Sequence, residues 1–77
     1  MDRIIECVPN YSEGRNKEII DQIVAAVADT KVVTERGEES VKVLDIDPGE
    51  ATNRTVVTFV GSPEAVLEAA FQGEKKA

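Results

Sequence analysis

Five side chains in this 77-residue chain have the types and spacing to hold a small charged molecule. Asp47 and Arg54 bracket the segment "DPGEATNR", and Asn53 sits beside the arginine. A guanidinium can grip a carboxylate through two parallel hydrogen bonds, and a fixed aspartate favours a cationic nitrogen. Asn10 and Ser12, in "PNYSEGRN", add directional donors and acceptors. Together they suit a ligand with an anionic end and a cationic or polar nitrogen end, such as an amino-acid derivative. The same residues are also ordinary turn formers: Asn10 and Ser12 make turns and caps, and Asp47 precedes Pro48-Gly49. Arg54 can pair with Asp47 across the loop mouth. Spacing alone leaves both readings open.

Other chemistries are disfavoured. Cys7 is the single cysteine, so no intrachain disulfide forms, and its strand setting predicts burial rather than nucleophilic work. With no histidine and no Cys cluster, no zinc site is expected, and Asp45 with Asp47 is too sparse for a calcium loop. A net charge of −6 argues against nucleic-acid or anionic-membrane partners. Neither a signal-like segment nor a long apolar run is present, which predicts a soluble, cytoplasmic protein.

Those residues need positioning elements, and the pattern supplies five. "RIIECV" (Arg3 to Val8) reads as a strand closed by Pro9. Asn16 is placed to cap a helix in which Ile20, Ile23, Val24 and Val27 recur at helical spacing to about Thr30. Lys31 to Thr34 can extend, whereas Arg36 to Ser40 predicts a polar, solvated connector. "VKVLDID" (Val41 to Asp47) and "RTVVTFVG" (Arg54 to Gly61) are strands joined by the loop "PGEATN". Ser62 and Pro63 start a second helix whose apolar face is Val66, Leu67, Ala70 and Phe71, with Gly73 as its stop.

The order β-α-β-β-α predicts an α/β (α+β) domain of ferredoxin-like type. Its three-stranded sheet has strands one and two parallel and strand three antiparallel between them. Both helices cover one face, and a fourth strand is missing. Strand two shows Leu44 and Ile46 on one side and Val41 and Val43 on the other; strand three is apolar on both. An open apolar face and an unpaired first strand predict self-association through that edge or face. The topology also makes "PNYSEGRN" and "DPGEATNR" neighbours, next to a helix N-terminus whose free N–H groups favour an anion.

The strings "ECVPNYSEGRN" and "LDIDPGEATNRTVVTFVGSPEAVLEAAF" resemble the start of the formiminotransferase family. That family carries "ECVPNFSEGRN" and "LDVDxGxxTNRTVxTFVGxPEAV" in the same order. The resemblance covers most of residues 4 to 71. It implies transfer of the formimino group of N-formimino-L-glutamate to tetrahydrofolate, a one-carbon step of histidine degradation. The folate would be co-substrate, and no metal would be needed. It also implies two α/β subdomains with facing sheets, outer helices and substrates between. By analogy Asp47 supports catalysis, and Asn10, Ser12, Asn53 and Arg54 bind substrate.

The family's catalytic histidine lies further on than these residues reach, and the connector over 31–42 is longer than usual. The expectation is therefore a single partial domain over 1–77, about the first half of the N-terminal subdomain. It would have a polar connector at 34–40, a frayed tail at 74–77 and no activity alone. Alternatives are a stand-alone small-molecule-binding or oligomerisation module, or one piece of a split enzyme.

Overall fold

The structure is a computed structural model that describes residues 3–77. Positions 1 and 2 of the expected domain lie outside the described residues. Helix α1 (Lys17–Ala28) begins where the sequence predicts, because Asn16 Oδ1 accepts the N–H groups of Glu18 at 3.0 Å and Ile19 at 3.3 Å. Its buried side is Ile20, Ile23 and Val27. Helix α2 (Pro63–Lys76) starts with Ser62 Oγ accepting the Ala65 N–H at 3.2 Å.

Strands β1 (Ile5–Cys7) and β2 (Asn10–Tyr11) precede α1; β3 (Lys31–Thr34), β4 (Gly37–Ser40), β5 (Lys42–Gly49) and β6 (Arg54–Gly61) follow it. β6 is the spine of the larger sheet: β1 and β2 pair along one side and β5 along the other, all antiparallel to it. The core joins Tyr11, Val57 and Phe59 of the sheet to Ile23 and Val27 of α1 and to Val66 and Ala69 of α2. Residues of β6 alternate between the two faces, so both helices pack on the face that carries Val57 and Phe59.

The α+β class stands, with two helices and antiparallel sheets. Where three strands are expected, the structure has a four-stranded sheet and a two-stranded one. The first strand ends before Pro9, as expected, but a second short strand follows on the same side of β6. Pro9 interrupts pairing between β1 and β2, yet its carbonyl accepts the Val57 N–H at 3.1 Å, and the ladder resumes at Asn10↔Val56. A proline is tolerated there because the segment is an edge and needs no outward donor.

The expected polar connector is mostly exposed, as predicted, but it is ordered as the β3–β4 hairpin, paired from Lys31↔Ser40 to Thr34↔Gly37. Arg36 in its turn reaches Glu39 at 2.7 Å and Glu64 of α2 at 3.0 Å. Arg36 holds the Glu39 carboxyl below the usual carboxylate range, and a hydrogen bond with the Ser62 side chain acts in the same direction.

Gly73 does not stop the second helix, which runs to Lys76 through the expected frayed tail. Gly73 is buried because the Tyr11 ring presses on it; a Cβ there would lie 2.7 Å from Tyr11 Cζ and 2.9 Å from Val27 Cγ2. Leu67 and Phe71, expected on the apolar face, are exposed, and Ala65 and Ala69 take their place in the interior. Small residues on α2 let it sit close to the bulky Tyr11 and Phe59.

Candidate functional site

The two faces of β6 differ in chemistry. Val57 and Phe59 are fully buried beneath the helices and Thr55 is fully buried on the same face, whereas Arg54 is exposed and Val56, Thr58 and Val60 are only partly covered. Residues paired across an antiparallel ladder share a face. Asn10↔Val56 and Asp47↔Val56 therefore place Asn10 and Asp47 on either side of Val56, on the open face. Arg54, two residues along from Val56, belongs to that face as well. Ser12 follows directly after the β2 ladder and is exposed.

Asp47 reaches the open face through an irregularity. The register passes from Val43↔Phe59 to Asp45↔Thr58, leaving Leu44 as an extra, exposed residue. Without this bulge, alternation from Val43 would turn Asp45 and Asp47 towards the helices; with it, both face outward. The expected grouping of Leu44 with Ile46 is thereby corrected: Ile46 pairs with Val57 and shares the helix side with Val43. Asp47 and Pro48-Gly49 also lie within β5, so the expected loop shrinks to Glu50–Asn53, a turn closed by the Asn53 N–H to Glu50 O at 3.2 Å.

The two polar segments are neighbours, as the topology predicts. The Gly14 N–H donates to Asn53 Oδ1 at 3.1 Å, the Thr55 hydroxyl donates to Glu13 O, and Arg15 Nε donates to Glu50 O at 2.9 Å. Gly14 is glycine for a steric reason: a Cβ would lie 2.5 Å from Arg54 N and 2.6 Å from Gly49 O. Glu13, Gly14 and Thr55 carry this junction, and sequence patterning singles out none of them. The signal available was the glycine inside "SEGRN", a polar stretch with no hairpin to require it.

The N-terminus of α1 is less open to an anion than expected. Asn16 takes the Glu18 and Ile19 N–H groups, and Glu13 Oε2 accepts those of Arg15 and Asn16 at 3.2 and 3.1 Å. Asn53 likewise spends its carbonyl on Gly14. The side chains of Asp47 and Arg54, by contrast, have no hydrogen-bond or ion-pair partner among the described residues, and the pairing between them that a plain turn allows does not occur. Cys7 pairs with Phe59 and packs against the core, and burial pushes its thiol up, as suits a structural residue. A separate groove of about 570 Å³ lies between the start of α1 and the end of β5, lined by residues that include Arg15, Ile20, Ile46 and Glu50. None of the five sequence-predicted residues lines it.

Comparison with known proteins decides the family. The description "Formiminotransferase domain, N-terminal subdomain" matches residues 4–77. The chain belongs to this family. It is 47% identical over 77 residues to a formimidoyltransferase-cyclodeaminase of Dictyostelium discoideum and 48% identical to that of Sus scrofa, covering 100% of this chain and 13% of each relative. A glutamate formimidoyltransferase of Streptococcus pyogenes serotype M1 is 40% identical over 72 residues, covering 94% of this chain and 21% of the relative. The chain thus spans a small part of the relatives it matches.

Within this formiminotransferase subdomain, "DIDPGEATNRT" is the end of β5, its turn and the first residues of β6. Among the described residues, no group of three or more His, Cys, Asp or Glu is placed to hold a metal ion, and no helix is long and apolar enough to cross a membrane.

Proposed function

We propose that the open face of the larger sheet is one wall of the substrate cleft of a glutamate formiminotransferase. The observation that carries this reading is the register that puts Asn10 and Asp47 on either side of Val56, with Arg54 nearby on the same face. Two partnerless, exposed charges on an otherwise half-apolar surface are poor stability devices but suitable ligand contacts. In the finer layout we propose, β1 and β2 act as one interrupted strand. The unit is then ferredoxin-like, β-α-β-β-α, with the β3–β4 hairpin inserted before β5.

In this reading Arg54 grips a carboxylate of N-formimino-L-glutamate, and Asp47 pairs with the amidinium nitrogens, holding positive charge near the carbon to be attacked. A tetrahydrofolate nitrogen bonds to that carbon, and the C=N π pair moves onto nitrogen. The folate nitrogen gives up its proton, the departing glutamate amine takes one up, and the nitrogen lone pair re-forms C=N as the C–N bond to glutamate breaks. Asn10 and Ser12 orient the substrates. A group that titrates near neutral pH must move the proton, and this chain has no histidine. The base is supplied from outside these residues, so the isolated chain binds without turning over.

Calorimetric titration with N-formimino-L-glutamate, and separately with tetrahydrofolate, tests this. Saturable binding that disappears in the Asp47→Ala, Arg54→Ala double variant supports it; unchanged binding in that variant counts against it. A second reading, a module that pairs with another copy of itself, is favoured by the exposure of Ile4, Val8 and Leu44. Light scattering at high micromolar concentration tests that one, and a monomer would dismiss it.

A further inference from the structure

We infer that Asn53 is a positioning residue that sets Arg54, and not a ligand contact; this rests on the reading of Arg54 as the carboxylate-binding group. The residues on each side of Arg54 both bond to the same two-residue seat. Asn53 Oδ1 accepts the Gly14 N–H at 3.1 Å, and the Thr55 hydroxyl donates to Glu13 O. Between those two anchors, Gly14 lies so close to the Arg54 backbone that no side chain fits at position 14.

The anchors are far from Arg54's seat in sequence, by 39 and 42 residues, so they fix tertiary position and not merely local turn shape. Asn53 also sits at φ 55°, the left-handed region, which asparagine tolerates better than most residues. Its side chain and its backbone thus do separate tasks. The φ turns the chain from the Glu50–Asn53 loop into β6, and the amide oxygen ties that turn to Gly14.

Arg54 gains no side-chain partner from any of this among the described residues. A long, flexible cation that is to receive a carboxylate loses less entropy on binding when its backbone is already held. The Glu13–Gly14 seat is the device that holds it.

The test separates the two tasks of Asn53. Asn53→Gly keeps the left-handed backbone without strain and removes the amide; Asn53→Asp keeps an acceptor oxygen. Binding of N-formimino-L-glutamate is measured by calorimetry in the whole chain, alone and in an Arg54→Ala background. Asn53→Gly is expected to weaken binding by roughly tenfold, the worth of about one hydrogen bond. Asn53→Asp should recover most of the loss, and Asn53→Gly should have no further effect once Arg54 is gone.

Amide hydrogen exchange, read in the same variants without ligand, keeps the outcome decisive. Faster exchange at Gly14 and Arg54 in Asn53→Gly, with α1 and α2 unchanged, supports the seat even if the wild type binds nothing. That second result would sink the proposed function alone. Unchanged exchange at Arg54, or equal binding losses with and without Arg54, would overturn the inference.

Discussion

The two faces of β6 are built from neighbouring residues of one strand and do opposite work. Val57 and Phe59 are sealed under two helices and Thr55 is buried beside Glu13; Arg54, Val56, Thr58 and Val60 alternate with them on a face that is exposed or only partly covered. The sealed face meets small residues of α2 and aliphatic residues of α1 at close quarters. The open face carries charges with no internal partners. In a small domain with a limited core, stability has to come from the first face, which leaves the second free to vary with function.

Breaking the sealed face should have the largest effect. Phe59→Ala removes a fully buried ring and should cost about 3–5 kcal/mol, enough to unfold so small a domain, whereas Val56→Ala should cost about 1 kcal/mol or less. Chemical denaturation of the two variants measures the contrast directly. Comparable losses would mean that the open face also holds the fold together.

Gly73→Ala comes next. Alanine in a helix normally stabilises relative to glycine, but here its methyl meets the Tyr11 ring, and overpacking should leave a net loss of about 1–3 kcal/mol. Thermal melts decide the sign. A stabilised variant would show that Tyr11 has room to retreat.

Tyr11 itself gives a pH signature. Burial first, then the charges of Cys7 and Glu74, push its phenol up from 10.0 to about 12. The folded pKa lies above the unfolded one, so the unfolded chain releases its proton first as pH rises. The neutral phenol's contribution is therefore full below pH 10 and falls as pH climbs from 10 towards 12. Tyr11→Phe loses the hydrogen bond to Ala70 O and should be about 0.5–1.5 kcal/mol less stable at neutral pH. The gap between the two proteins should narrow above pH 10, and denaturation across that range reads it.

The smallest effect is expected from deleting Leu44. Because Leu44 is the extra residue of a bulge, its loss should leave Val43↔Phe59 and Asp45↔Thr58 paired, with Asp47 still facing outward. Stability should change by about 1 kcal/mol or less, since Leu44 is exposed. Retained cross-strand contacts between Asp47 and Val56 in NMR spectra would confirm the bulge; their loss would mean the strand has slipped.

Much of this was legible in the chain. Asn16 and Ser62 announce their helices, β6 has the predicted bounds, and the two polar segments meet where the topology brings them. What escaped did so for identifiable reasons. The β3–β4 hairpin reads as a loose connector because its residues are polar and mostly exposed, and because the partners of Arg36 include Glu64, which is distant in sequence. Gly73 looks like a helix stop because its reason, the Tyr11 ring, is a tertiary contact. The bulge at Leu44 leaves no mark in a pattern of alternation, yet it decides which way Asp47 faces. Asn53, a ligand candidate by type, is committed to Gly14 in the fold. Asp47 and Arg54 emerge as the two charged candidates still available to a ligand, with Asn10 and Ser12 exposed beside them.

The central claim is that this outward face receives the substrate. It is tested most directly by adding N-formimino-L-glutamate to the isotope-labelled chain and following backbone amide shifts. Saturable changes are expected at Asn10, Asp47, Arg54 and Val56, with Val57, Phe59 and α2 left still. Changes centred on Arg15, Ile20 and Ile46 would move the site to the groove beside α1 and rule out the open face as the substrate wall.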